Sequence, residues 1–113
     1  MKYQLPPNFT EQEVTTVANQ LGLTTTAGRT ALRYALENVC LLDKKQQDYG
    51  SRNISDFGAL GVVVRINDKF QRLKTLLSKK RKPKNESIED SFRDLSNYGI
   101  IGAMTHKGEW PNE

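Results

Sequence analysis

The stretch that decides the fold is residues 56–78, which read DFGALGVVVRINDKFQRLKTLLS. Large apolar residues recur in it at intervals of three and four, the repeat of one helix face. They form an apolar seam of Val63, Ile66, Phe70, Leu73 and Leu77. The valines at 62–64 resemble a short strand, but the helical repeat continues through them to Leu77. We therefore predict a long helix that begins near residue 55 or 56, ends by Ser78 and turns this seam toward the core.

Two helices are predicted before this central one. Thr10 and Glu13 have the spacing of a capping box, so the first helix begins there, and Gly22 ends it. The second helix begins within residues 24–26 and runs to about Gln47, again with apolar residues three or four positions apart.

The central helix is flanked by loops at 51–56 and 79–84, the second because Pro83 and repulsion between its basic side chains oppose a helix. A last helix, capped by Asn85 or Ser87, should end around residue 105. Its predicted core face is Ile88, Phe92, Leu95 and Gly99. Since no alternating pattern typical of strands is present, we predict an all-α fold, a small bundle of about four helices.

Composition limits both the fold and its partners. A chain of 113 residues suffices for one small domain, and a formal net charge of +4 favours an anionic partner. Cys40 is the only cysteine, which excludes an internal disulfide and a multi-cysteine zinc site. His106 is the only histidine, which excludes a His-rich metal site.

We predict three segments: an N-terminal extension with one helix over 1–28, a helical domain over 29–106 and a flexible tail over 107–113. Residues 1–7 lack the apolar region of a secretory signal. No apolar run approaches the ~20 residues that span a membrane. We therefore expect a cytoplasmic protein without a membrane partner.

Charged side chains form a stripe beside the seam on the central helix. Arg65, Lys69 and Arg72 lie at i, i+4 and i+7, so they share one face. An arginine guanidinium can donate two parallel hydrogen bonds to the oxygens of one phosphate, and a lysine ammonium acts as a point charge. These residues therefore predict phosphate binding. Asp68, among these cations, would stay ionised and could orient an arginine or bind a metal. The alternative is a solvated face with ordinary pairs such as Asp68–Arg72.

Carboxylates follow one side of the last helix. Glu86, Asp90 and Asp94 are spaced by four residues, and Asn97 comes three later. Magnesium prefers oxygen ligands, so the carboxylates are candidate metal ligands. Acidic residues in a first turn also complement the helix dipole, which is the alternative for Glu86, Glu89 and Asp90.

Residues between the second and third helices are candidates for contacts to a base or sugar. Tyr49 could stack on a base or simply pack at a helix end, and Asn53 is the loop residue most suited to contact a ligand. The basic loop 79–84 could instead bind nucleic-acid phosphates or be a solvated connector.

Together these motifs resemble a phage and bacterial family, the nucleotide-modification-associated domain. Its pattern begins with Asp-Tyr-Gly, followed by Asn and Gly. Two helices come next. The first has the pattern Arg-Ile-x-Asp-Lys-x-x-Arg-Leu, and the second has the pattern Glu-x-x-x-Asp-x-x-x-Asp-Leu-x-Asn-Tyr. The resemblance covers about residues 30–103. It implies that Lys45 joins the phosphate-binding residues and that Asp48 and Asn97 join those that contact the base or sugar.

That family is similar to the all-α nucleoside-triphosphate pyrophosphohydrolases of the MazG and dimeric dUTPase type. The similarity implies a MazG-like bundle with magnesium as cofactor. Those enzymes hold the metal with Glu-x-x-Glu and Glu-x-x-Asp on two helices, whereas the central helix here offers one carboxylate, Asp68. Hydrolysis is thus less strongly implied than binding. Relatives of this type form bundles across subunits, so a homo-oligomer is expected.

The main hypothesis is therefore a protein that binds, and with magnesium hydrolyses, a (deoxy)nucleoside phosphate in phage nucleotide or DNA-modification metabolism. A phage-encoded chain would act in the host cytoplasm. One alternative is a non-enzymatic phage accessory protein that binds a nucleotide signal or a host protein. A second alternative is a nucleic-acid-binding protein that uses loop 79–84.

Overall fold

The computed structural model describes residues 3–111, which contain helices and no strand. The helices are α1 (Glu11–Gln20), α2 (Thr26–Tyr49), α3 (Arg52–Ser55), α4 (Gly58–Ser78) and α5 (Ile88–His106). The predicted all-α class is confirmed, and the long helices lie within a few residues of their predicted bounds. No helix of the described part of the chain is long and apolar enough to cross a membrane.

The described residues divide into two compact units, one up to Lys45 and one from Gln46 onward. In the first unit, the predicted capping box starts α1. The Thr10 hydroxyl accepts the Glu13 N–H at 3.2 Å, and the Glu13 carboxylate accepts the Thr10 N–H at 3.3 Å. The same helix buries Val14 and Ala18.

Two glycines end the first two helices by adopting a left-handed backbone. Gly22 follows α1 and Gly50 follows α2, each with a φ of 71°. Because side chains with a Cβ are strained in this conformation, glycine is the residue that lets the chain turn here.

The prediction of a loop over 51–56 is wrong, because one helical turn, α3, lies within it. The Ser51 carbonyl accepts the N–H groups of Ile54 and Ser55 at 3.1 and 3.2 Å. Ile54 is almost fully buried, which stabilises a turn too short to form alone. The Trp110 indole N–H also donates to the Ser51 carbonyl at 2.9 Å, so this side chain of the predicted flexible tail is held in place. Residues 112 and 113 of that tail lie outside the described residues.

The second unit is built on an antiparallel hairpin of α4 and α5. Val62 lies close to Gly102 at one end of the hairpin, and Arg72 contacts Ser91 at the other. Ser87 caps α5 as predicted, since its hydroxyl accepts the Asp90 N–H at 3.0 Å.

The predicted core faces of these two helices are wrong for most of their residues. Leu73 is the only buried member of the apolar seam, whereas Val63, Phe70 and Leu77 are 56%, 53% and 52% exposed. On α5, Phe92 is 53% exposed. The helical period was predicted correctly, but the prediction that the helices turn these apolar faces toward the core was wrong for most of the residues.

The residues that α5 buries are instead mainly polar. On α5 the buried residues are Ser91, Arg93, Asp94, Asn97 and Ile101. Lys69 and Arg72 of α4 lie opposite part of this set and form hydrogen bonds and ion pairs with it. Charged and polar contacts thus join the two helices alongside the buried Val62, Leu73 and Ile101, whereas Val63, Phe70, Leu77 and Phe92 remain exposed in the chain.

Candidate functional site

A cluster of ion pairs lies between α4 and α5, centred on Lys69. Its ammonium nitrogen is 2.8 and 3.0 Å from the two carboxylate oxygens of Glu86 and 3.0 Å from Oδ2 of Asp94. The capping box at Ser87 fixes where α5 begins, so Glu86 directly precedes the N-cap residue and Asp94 lies about two turns into the helix. The lysine therefore bridges two carboxylates that the sequence predicts as metal ligands.

Arg72 extends this cluster by one turn of α4. Its guanidinium donates to the Ser91 hydroxyl at 2.8 Å and to the Glu86 main-chain carbonyl. The Ser91 hydroxyl in turn donates to the Glu86 carboxylate at 2.7 Å. Arg72 thus ties the end of α4 to the start of α5, and its donors are directed at protein acceptors. Ser91 was missed by the sequence argument, and the only signal for it was its position on the face that also carries Asp94.

The pKa values reflect this mutual pairing. Burial alone would raise the pKa of Glu86, but hydrogen bonds from Lys69 and Ser91, with the positive charges of Lys69 and Arg72, lower it below its ordinary value. Burial alone would lower the pKa of Lys69, but its hydrogen bonds and charge interactions with Glu86 and Asp94 raise it. Both groups are therefore held in their charged forms.

Arg65 differs from the other two cations of the stripe. It is partly buried and donates to the main-chain carbonyl of Asn53 in α3 at 3.0 Å. Within residues 3–111 no carboxylate pairs with its guanidinium. The side-chain carbonyl oxygen of Asn53 is itself buried and accepts no hydrogen bond from the described residues. This end of the hairpin thus combines the Arg65 guanidinium, which has no carboxylate partner among the described residues, with the Asn53 side-chain oxygen, which accepts no hydrogen bond from them.

The four predicted metal ligands are not all brought together. Glu86 and Asp94 share Lys69, but Asp68 is exposed on α4 and Asp90 accepts the Ser87 N–H in the capping box at 3.1 Å. In the described part of the chain, no three His, Cys, Asp or Glu side chains are grouped so that they could hold a metal.

The remaining predicted residues lie on α2 and α5. Asn97 is buried on α5, one turn beyond Asp94. Asp48 and Tyr49 are exposed in the last turn of α2, and the Tyr49 ring is 67% exposed. Lys45 is partly buried and belongs to the first compact unit, whereas the other candidates belong to the second.

The segment that carries this cluster matches a known family model. The model, described as nucleotide modification associated domain 1, matches residues 45–105, which is more than half of the chain. The chain belongs to this family. The match includes α3, α4 and nearly all of α5, and it begins one residue before the second compact unit. No curated protein and no solved structure matches the chain. Membership of the nucleotide modification associated domain 1 family confirms the predicted resemblance, while the relationship to MazG-type hydrolases stays a prediction.

Proposed function

We propose that this chain binds a (deoxy)nucleoside phosphate through a polar strip along the hairpin. The strip consists of Asn53, Arg65, Lys69, Glu86 and Asp94. The observation that carries the proposal is the pair of unfilled polar groups at one end of it, the Arg65 guanidinium and the Asn53 side-chain carbonyl. The family description, which concerns nucleotide modification, supports a nucleotide as the ligand.

Arg65 supplies the phosphate contact. A partly buried charge is normally paired, because an uncompensated one costs free energy. The hydrogen bond to the Asn53 main-chain carbonyl uses one N–H group of the guanidinium and leaves its other N–H donors for a ligand. A phosphate group can accept two of these in parallel and neutralise the charge, which is the geometry that arginine favours.

Asn53 supplies the contact to the base or sugar. A buried carbonyl oxygen without a donor costs about 1–3 kcal/mol. The exocyclic amino group of a base or a sugar hydroxyl would satisfy this oxygen. Because Arg65 is bonded to the main chain of the same residue, one small ligand can reach both groups.

Glu86 and Asp94 are the proposed magnesium ligands. Both carboxylates lie within 3.0 Å of the Lys69 ammonium, so one cation already bridges them. Two carboxylates together with phosphate oxygens are a common magnesium ligand set. These residues would hold the ion if Lys69 turned from the carboxylates to the phosphate. The ion would then neutralise phosphate charge; Asp68 and Asp90 are not needed for this arrangement.

Isothermal titration calorimetry against nucleoside mono-, di- and triphosphates, with magnesium and with a chelator, tests this function. Arg65→Ala should weaken binding at least tenfold. The matched control is Arg52→Ala, because Arg52 is an exposed arginine of the same unit that pairs with Asp56. Analysis of each mixture for released phosphate or pyrophosphate separates hydrolysis from binding alone. Absence of heat with every nucleotide, or equal losses in both variants, would refute the proposal.

A further inference from the structure

The loop between α4 and α5 holds the excess positive charge of the chain. Five of the six residues in the segment 79–84 are basic, namely Lys79, Lys80, Arg81, Lys82 and Lys84. The segment has no acidic residue, so the rest of the chain holds twelve of the 17 basic residues and all 13 acidic residues, which leaves it a net charge of −1. The loop is therefore a concentrated source of positive potential at one end of the hairpin.

The protein does not use these five charges for its own contacts. All five residues are exposed. Within residues 3–111, none of their side chains forms a hydrogen bond or an ion pair. Lys69 and Arg72, which come earlier on α4, both pair with Glu86 instead. The cations of the loop are thus available to a partner, whereas those of the hairpin are already neutralised.

Main-chain hydrogen bonds hold the first part of the loop against the end of α4. The Lys79 N–H donates to the Thr75 carbonyl at 3.2 Å, and the Arg81 N–H donates to the Leu76 carbonyl at 3.0 Å. Lys80 lies between them with a left-handed backbone and a φ of 51°, whereas the left-handed residues that follow α1, α2 and α5 are glycines. Because glycine would relieve about 1 kcal/mol of strain at this position, the lysine retains a positive charge where an uncharged residue would be more stable.

We infer that loop 79–84 binds the phosphate backbone of double-stranded nucleic acid. A duplex carries one negative charge per ~1.7 Å of its axis, so several phosphates lie within reach of five neighbouring cations, and each contact releases condensed counterions. Arg81 can donate two parallel hydrogen bonds to one phosphate, and the lysines act as point charges. Contacts of this kind carry no sequence information, so the binding is independent of base sequence.

The composition of the loop favours a duplex over other anionic partners. Its only uncharged residue is Pro83, so it offers no aromatic side chain on which an unstacked base of a single strand could stack. It also offers no large apolar side chain that could insert into a lipid surface. What remains is attraction to a dense line of phosphates, which the duplex supplies.

The loop is separate from the proposed nucleotide site. Lys79 lies fourteen residues after Arg65 along α4, which corresponds to about 21 Å. Duplex binding can therefore be lost while nucleotide binding is kept, and the reverse also holds.

Fluorescence anisotropy of a labelled DNA duplex, titrated with the full chain at about 50 to 200 mM salt, tests the inference. Five phosphate contacts predict a slope of about −4.5 for log K against log salt, so the affinity should fall about 500-fold over this range. The double variant Arg81→Gln, Lys82→Gln should bring the slope to about −2.7. The matched control is Lys44→Gln, Lys107→Gln, which removes the same charge from two exposed lysines outside the loop and should keep the slope of the wild-type chain.

Three results would overturn the inference: no binding of the duplex at about 50 mM salt, equal changes in the two double variants, or tighter binding of the separated single strand. Binding to phosphatidylserine vesicles without binding to DNA would overturn it in favour of a membrane partner. Arg65→Ala should leave duplex binding unchanged, and the loop variant should leave the calorimetric titration with nucleoside phosphates unchanged. A failure of this inference is thus distinguishable from a failure of the proposed function. Circular dichroism checks that each variant retains its helices.

Discussion

Replacing Lys69 by methionine should destabilise the protein by about 2 kcal/mol at neutral pH. The substitution keeps most of the side-chain volume but removes the cation that bridges Glu86 and Asp94. Truncating one partner of a fully buried pair costs about 3–5 kcal/mol, whereas an exposed pair contributes about 0–1 kcal/mol. The Lys69, Glu86 and Asp94 side chains are 21%, 28% and 10% exposed, which places this cluster between those limits.

The penalty should depend on pH in a direction set by the pKa shifts. The pKa of Glu86 is lower in the folded chain than its ordinary 4.5, so its stabilising contribution is present above 4.5 and is lost as the pH falls through the folded value. The pKa of Lys69 is raised above 10.5, so its contribution is present below 10.5 and is lost as the pH rises through the folded value. The destabilisation by Lys69→Met should therefore be largest between these limits and should shrink in acid.

Urea unfolding followed by circular dichroism, at one fixed protein concentration and at several pH values, measures this effect. Lys44→Met is the control, since Lys44 is exposed on α2 and should change the free energy of unfolding by less than about 0.5 kcal/mol. The double variant Lys69→Met, Glu86→Gln should be less destabilised than the sum of the single variants. A destabilisation by Lys69→Met below about 0.5 kcal/mol, or one that does not change as the pH is lowered into the acid range, would refute the pairing of these groups.

Further substitutions test other parts of the hairpin, each measured by urea unfolding. Arg72→Lys should destabilise the protein by about 1–2 kcal/mol, because lysine cannot reach the Glu86 carbonyl and the Ser91 hydroxyl at once. An unchanged unfolding midpoint would contradict a stabilising role for these two hydrogen bonds between the helices. Ser87→Ala should cost about 1 kcal/mol through loss of the α5 cap, and equal effects of Ser87→Ala and Ser96→Ala, an exposed site within α5, would count against it. Gly50→Ala should cost about 1 kcal/mol because φ is 71° there, and a stabilised variant would be inconsistent with that backbone.

Local chemistry made the helices predictable from the sequence. The capping box of Thr10 and Glu13, the cap at Ser87 and the stop at Gly22 all act within a few residues, so spacing alone reveals them. The short helix α3 was missed because its turn depends on burial of Ile54, which is a tertiary effect.

The packing of α4 and α5 was not predictable from periodicity. The apolar seam has the stronger helical repeat, yet Lys69 and Arg72 face α5 because Glu86, Ser91 and Asp94 accept their hydrogen bonds. Periodicity identifies which residues share a face, but it does not identify whether that face is covered by the same chain or by a partner.

The structure brings part of the predicted set of site residues together. The sequence identified Lys69, Glu86 and Asp94 as functional candidates, and the structure brings them together as one ion-pair cluster. Spacing on separate helices could not reveal that the predicted phosphate ligands would pair with the predicted metal ligands. It also could not reveal that Arg65 stays apart from them, since this depends on the position of α3.

The most direct test of the central claim is a nuclear magnetic resonance titration of the ¹⁵N-labelled chain with each common deoxynucleoside triphosphate. The account predicts that the Nε–H resonance of Arg65 and the amide resonances of Asn53 shift and saturate with at least one of them, with and without magnesium. Shifts confined to the basic loop 79–84, or no shifts, would contradict a nucleotide site at Arg65 and Asn53.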